Sequence, residues 1–130
     1  TEINEKTKSP VIDILEEQKE LIVNDKYGGT MRLGSYPANL KNGSIVRKLY
    51  HGKSQIEERH RHRYEVNPNF ISTLESKGLV FSGVSPDRKL MEFMELPKNK
   101  FHIATQSHPE FNSRFGKPSP LFYGFVKSML

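Results

Sequence analysis

The sequence predicts an α/β domain, or one side of one, on three observations. Runs with strand character outnumber helical ones, Gly, Pro and Asn punctuate them, and 130 residues leave room for one core only. Hydrophobic residues make up 35% of the chain and the mean hydropathy is −0.65, below the average soluble domain, so a thin core is expected.

Element by element, Val11-Ile12-Asp13-Ile14-Leu15 follows Pro10 as an apolar run and predicts a buried strand. Glu16 to Glu20 is an acidic stretch that fits helix or loop equally. Tyr27-Gly28-Gly29-Thr30 is turn chemistry, because paired glycines allow positive φ and close backbone approach. Met31 to Tyr36 alternates apolar with polar and predicts a short strand ending at Pro37. Ser44 to Tyr50 predicts a short amphipathic helix with Ser44 as N-cap. Arg61 to Val66 alternates as a strand that stops at Asn67-Pro68-Asn69. Phe70 to Lys77 follows as a helix, with Phe70, Ile71 and Leu74 on one side and Gly78 as its stop. Leu79 to Val84 and Leu90 to Leu96 predict an antiparallel hairpin turned by Pro86-Asp87-Arg88. Phe101 to Gln106 is a further strand, and Pro120 to Lys127 a final helix with proline near its first position.

No apolar run approaches the roughly 18 residues of a membrane span, and Thr1 to Lys6 lacks the pattern of a signal peptide. Thr1 in place of Met suggests that a natural start lies upstream. The absence of cysteine excludes disulfides, thiolate metal sites and a cysteine nucleophile from this chain. Charge is uneven. Residues 1–25 hold three lysines against seven acids, whereas residues 26–130 hold seventeen Lys and Arg against eight acids. The basic part suits an anion, but the aromatics are scattered and no RNP-like or zinc-finger spacing appears, so nucleic acid is not the expected partner.

Three segments can carry chemistry. His108-Pro109-Glu110 sits at the carboxyl end of a predicted strand, where ligands collect in open α/β sheets. In an extended segment residues i and i+2 share a side, so the Glu110 carboxylate can take the His108 ring N–H and fix its tautomer. That is two-thirds of a triad lacking its nucleophile; the alternative is a strand end that merely caps a loop. Ser107 and Ser113 are close in sequence but not on a strained elbow. In Arg59-His60-Arg61-His62-Arg63, the two histidines share one strand face, as metal ligands do, but no third ligand is evident. The three arginines share the other face, which suits bidentate capture of a carboxylate or phosphate, or ion pairs with Glu57, Glu58 and Glu65. Gly28 to Gly34 lacks the Lys-Ser/Thr end of a P-loop and reads as a glycine turn or a lid.

Together, Gly28-Gly29-Thr30-Met31-Arg32-Leu33-Gly34, Glu58-Arg59-His60-Arg61-His62-Arg63-Tyr64-Glu65-Val66-Asn67, Gln106-Ser107-His108-Pro109-Glu110-Phe111 and Pro120-Leu121-Phe122-Tyr123-Gly124-Phe125 carry a resemblance. Their order and wording resemble the CTP synthase family over nearly the whole chain, and within it the C-terminal half of the class I glutamine amidotransferase domain. Other amidotransferases of the class share His-Pro-Glu but not the Arg59 to Asn67 run. The resemblance implies a flavodoxin-like fold of which residues 1–130 form the second half, a mixed sheet with flanking helices. It implies a ligase of pyrimidine biosynthesis that makes CTP from UTP, ATP and L-glutamine, using Mg, with GTP as activator, in a cytoplasmic homotetramer. No cofactor is implied for this chain, nor any nucleic acid or membrane partner, nor a metal site.

By the same resemblance, glutamine is hydrolysed by a Cys-His-Glu triad, with His108 as general base and acid and Glu110 orienting it. Arg63 matches the arginine that contacts glutamine, and Tyr64 offers backbone contacts. Glu2 matches the glutamate that binds the substrate ammonium, although Ile3 stands where the family has Phe. Gly28, Gly29, Thr30 and Arg32 match a loop that faces the synthase side as a lid or a sensor of GTP. The family's cysteine elbow and synthase domain have no counterpart in residues 1–130, so this chain alone is expected to be inactive. The competing reading is a basic anion-binding or regulatory module in which His-Pro-Glu is a relic.

Overall fold

The computed structural model describes residues 4, 6–14 and 31–130. Among the described residues seven strands and three α-helices follow in order: β1 (Ile12–Asp13), β2 (Arg32–Leu40), α1 (Ile45–Leu49), β3 (Gln55–His62), β4 (Glu65–Val66), α2 (Pro68–Ser76), β5 (Val80–Val84), β6 (Met91–Glu95), β7 (Ile103–Thr105) and α3 (Pro120–Met129). A single 3-10 turn, Pro109–Asn112, lies between β7 and α3. Among the described residues no helix is long and apolar enough to cross a membrane.

Five strands form one sheet in the order β3-β2-β5-β6-β7, and β1 pairs with β4 apart from it. The sheet with flanking helices matches expectation, but its mixed character does not show in these strands. Every pairing among the described residues is antiparallel. The β5–β6 hairpin forms as predicted. Arg88 adopts φ 64° in its turn, and the Asp87 carboxylate accepts from the Lys89 amide at 3.2 Å.

Three strand expectations need correction. Of Val11 to Ile14 only the two residues of β1 are strand, Leu15 lying outside the described residues, and Ile12 is 41% exposed, because the partner of β1 is the two-residue β4 rather than the main sheet. β2 runs through Pro37 to Leu40. β5 pairs with β2 only at Asn39 and Leu40, so one flank of the strand is open at Pro37, where a missing N–H is tolerated. The strand expected from Arg61 to Val66 is broken at Arg63 and Tyr64, with β3 before the break and β4 after it. The Glu16 to Glu20 and Tyr27 to Thr30 readings lie outside the described residues.

The helices follow their local signals. The Ser44 hydroxyl caps α1 by accepting from the Arg47 amide at 3.0 Å. α2 begins at Pro68 behind the Asn67 cap. It ends in a Schellman arrangement: Gly78, at φ 94°, donates to the Glu75 carbonyl at 2.9 Å, and Leu79 to the Leu74 carbonyl at 3.3 Å. Ser119 caps α3, and Pro120 takes its first turn.

Ala38, Leu40, Val46, Tyr50, Ile56, Phe93 and Leu121 form the core, where α1 and α3 meet the sheet. Gly124 brings α3 against α1: a Cβ there would stand 2.5 Å from Leu49 Cδ2. Among the described residues eleven buried polar or charged side chains accompany nine buried apolar ones. An interior this polar holds only if its groups are paired, and the pairing determines how the site is built.

Candidate active site

β7 delivers the chain to His108. The Ser107 amide donates to Thr105 Oγ1 at 3.1 Å and the two hydroxyls lie 2.6 Å apart, which turns the backbone at the strand end. The His108 amide then donates to the Arg59 carbonyl on β3 at 2.8 Å. Pro109, suited to the first position of a helical turn, starts the 3-10 turn that carries Glu110. His108 Nδ1 and Glu110 Oε1 stand 2.6 Å apart. The contact is therefore made, as the spacing suggested, but across a 3-10 turn rather than within an extended segment.

The hydrogen bond from His108 holds the Glu110 carboxyl below the usual carboxylate range, with help from a backbone amide. Phe111 stacks on the imidazole at 5.4 Å between centroids and 25° between planes. With Nδ1–H donating to the carboxylate, Nε2 carries the lone pair, the tautomer a general base requires. The imidazole is 38% exposed, so a thiol or substrate from outside can reach it.

The loop is stapled at two points to β3 and at a third to the break that follows it. Besides the His108 amide, Asn112 Nδ2 donates to Glu58 Oε2 at 2.8 Å, and Gln106 Nε2 donates to the Tyr64 carbonyl at 2.6 Å. Glu58 is buried and also accepts from the Tyr50 hydroxyl at 2.7 Å; burial, reinforced by that carboxylate, pushes the Tyr50 pKa up. The expected pairing of Arg59, Arg61 and Arg63 with Glu57, Glu58 and Glu65 is not how these carboxylates are engaged. Glu57 accepts from the Ser35 hydroxyl, Glu58 as above, and Glu65 serves Arg32 and His62. Arg59 and Arg61 point outward on β3, whereas Arg63 is half-buried in the break and outside their row.

Arg32 is the largest departure from expectation. It lies on β2, 8% exposed, and not in a lid. Its Nη2 meets Glu92 Oε1 at 2.7 Å, its Nη1 meets Glu65 Oε1 at 3.1 Å, and its guanidinium lies 4.6 Å from the Tyr36 ring centroid. Burial disfavours its charge, but the two carboxylates outweigh that and raise its pKa. Glu92 is pushed up by burial, against the pull of Arg32. His60 and His62 do share one face, and both turn toward these carboxylates. The cation they surround is the guanidinium. Burial, then the fields of Arg32, His62 and His108, lower the His60 pKa to about 3, so the ring is neutral and its 3.5 Å approach to Glu92 is a weak contact. Sequence reading missed Glu92 and Glu95; the available signal was two acids set inside the apolar run from Leu90 to Leu96.

Of the other residues named from sequence, Glu2, Gly28, Gly29 and Thr30 lie outside the described residues. A cavity of about 960 Å³ opens elsewhere, between Asp13, Tyr36, Asn67 and the Ser85 to Leu90 turn. Neither His108 nor Glu110 lines it.

Known proteins resemble the chain over nearly all of its length. Residues 11–128 match the class-I glutamine amidotransferase family. The CTP synthase of Methanocaldococcus jannaschii is 57% identical over 130 residues, and that of Staphylococcus epidermidis 52% identical over 129. These alignments take in 100% and 99% of this chain but 23% of each relative, so the chain spans about a quarter of their length. The glutaminase domain of Trypanosoma brucei CTPS with bound acivicin superposes with a TM-score of 0.86 at 32% identity, over 98% of this chain and 48% of that one. A family match over residues 11–128, with a fold that superposes on a glutaminase domain, shows that the chain belongs to the class-I glutamine amidotransferase family.

Proposed function

We propose that this chain is the part of a CTP synthase glutaminase domain that supplies the general base and its orienting carboxylate for glutamine hydrolysis. The observation that carries the reading is the 2.6 Å contact between His108 and Glu110 on a loop stapled to β3. His108 Nε2 takes the proton of a thiol supplied by another segment, and the thiolate adds to the side-chain carbonyl of glutamine. The imidazolium then gives that proton to the departing ammonia, leaving a thioester. A water molecule, deprotonated in turn by His108, hydrolyses the thioester to glutamate. Glu110 stays ionised throughout and stabilises the imidazolium.

Arg63 holds the glutamine carboxylate, Tyr64 contributes backbone contacts, and Glu2 holds the ammonium; a zwitterion needs one partner of each sign. In the complete enzyme the ammonia aminates UTP at the expense of ATP on a Mg-dependent synthase domain. Gly28, Gly29 and Thr30 belong to the loop through which GTP acts. The enzyme works as a cytoplasmic homotetramer. That this chain belongs to a larger domain is supported by α3, where Phe122, Phe125, Val126 and Met129 form an exposed apolar stripe at helical spacing.

The test uses the full-length protein that contains this chain. His108→Ala should abolish ammonia release from glutamine while CTP formation from added ammonia persists. Undiminished ammonia release from glutamine in His108→Ala would refute the assignment.

A further inference from the structure

The break between β3 and β4 is held more tightly than its two residues require. His62 is the last residue of β3 and pairs with Arg32; Glu65 opens β4 and pairs with Asp13. Only Arg63 and Tyr64 lie between. His62 Nε2 and Glu65 Oε1 close the break across its mouth at 2.9 Å. Glu65, 0% exposed, is fixed from below by Arg32 Nη1 at 3.1 Å. A buried carboxylate with two partners has little freedom, so the clasp sets one end of the break.

The other tie comes from the loop of the base. Gln106 Nε2 donates to the Tyr64 carbonyl at 2.6 Å, and two residues later the His108 amide donates to the Arg59 carbonyl at 2.8 Å. Residues 106–108 are thus laced to residues 59–64 at both ends, one bond placing His108 and the other placing the Arg63–Tyr64 break. We infer that Gln106 is a positioning residue, which together with the His62–Glu65 clasp sets Arg63 at the reach of one glutamine molecule from His108. The inference rests on the reading of Arg63 as the partner of the substrate carboxylate. Gln106 touches no reacting atom; it acts through the backbone that carries Arg63.

The experiment compares kcat/KM for glutamine with that for 4-aminobutanamide, the same side-chain amide without the α-carboxylate, in the full-length protein. Gln106→Ala, and Gln106→Met as a variant of similar length that keeps the packing but not the donor, should each lower the preference for glutamine roughly tenfold to a hundredfold, the scale of an ångström's misplacement. The loss should appear as a raised KM for glutamine with kcat nearly kept. A purely structural role would lower activity on both amides together and leave their ratio unchanged. If Arg63→Ala abolishes the preference while both Gln106 variants retain it, the positioning role is wrong and the Arg63 assignment stands. A preference that survives Arg63→Ala overturns both.

Discussion

Acid stability offers a quantitative test of the buried network, through His60. Its ring is 2% exposed and sits among Arg32, His62 and His108, with Glu92 Oε2 at 3.5 Å and the Tyr36 ring edge-on at 5.5 Å. Burial first, then the three basic groups, lower its pKa from 6.5 to about 3. The folded state therefore refuses a proton that the unfolded chain accepts below pH 6.5, so stability is present above that pH and is lost as pH falls toward 3. Between pH 7 and pH 5 the linkage relation gives a loss of about 2 kcal/mol from this residue alone. Against a total of roughly 5–15 kcal/mol for a domain, that is a measurable fraction. Other groups titrate over the same range, and Glu92 acts in the opposite sense: raised by burial, it contributes stability that fades as pH rises above 4.5. The comparison must therefore be differential. Urea unfolding at pH 7 and pH 5 should show a drop in the protein that is about 2 kcal/mol smaller in His60→Gln. Equal drops in the two proteins, or an imidazole titrating near pH 6.5 by NMR in the folded state, would refute the placement of His60.

The remaining predictions follow from single contacts. Glu110→Gln should lower glutamine hydrolysis by the full-length protein by roughly tenfold to a hundredfold, less than for a buried orienting carboxylate, because the 52% exposed side chain can be replaced by water. Glu95, 2% exposed, accepts from the Ile45 amide at 3.1 Å and the Val46 amide at 3.2 Å. Glu95→Ala leaves two inward-facing donors orphaned and should cost about 2–4 kcal/mol in urea unfolding, against about 1 kcal/mol for the Ser44→Ala cap deletion. Gly83→Ala places a Cβ 2.5 Å from Phe93 Cδ2 in the core and should cost about 1–3 kcal/mol, read as a lowered melting temperature.

Local chemistry was legible wherever the cause was local. The Ser44 and Gly78 boundaries of α1 and α2, the Pro120 start of α3 and the hairpin at Pro86 to Arg88 all follow from residues within a few positions of one another. The His108–Glu110 pair belongs to the same class. Two residues apart, they meet in an extended chain or in a 3-10 turn, so the contact was foreseen although the backbone was not.

What the linear order left open was which groups pair at long range. Alternation identified the faces of His60 and His62 but not what they face, because Arg32, Glu65 and Glu92 are up to 60 positions apart. A glycine-led run likewise presents its arginine as part of a loop. In the fold Arg32 is buried, because two carboxylates on other strands compensate its desolvation. The break at Arg63 is tertiary in the same sense. The alternation continues across it, and pairing with β1 instead of β2 ends the strand. The sequence by itself thus determined the element types, their caps and the pairing of His108 with Glu110, since these depend on neighbours. Only the tertiary structure decided which charges are buried together, since burying a charge is tolerated only where distant strands bring its partner.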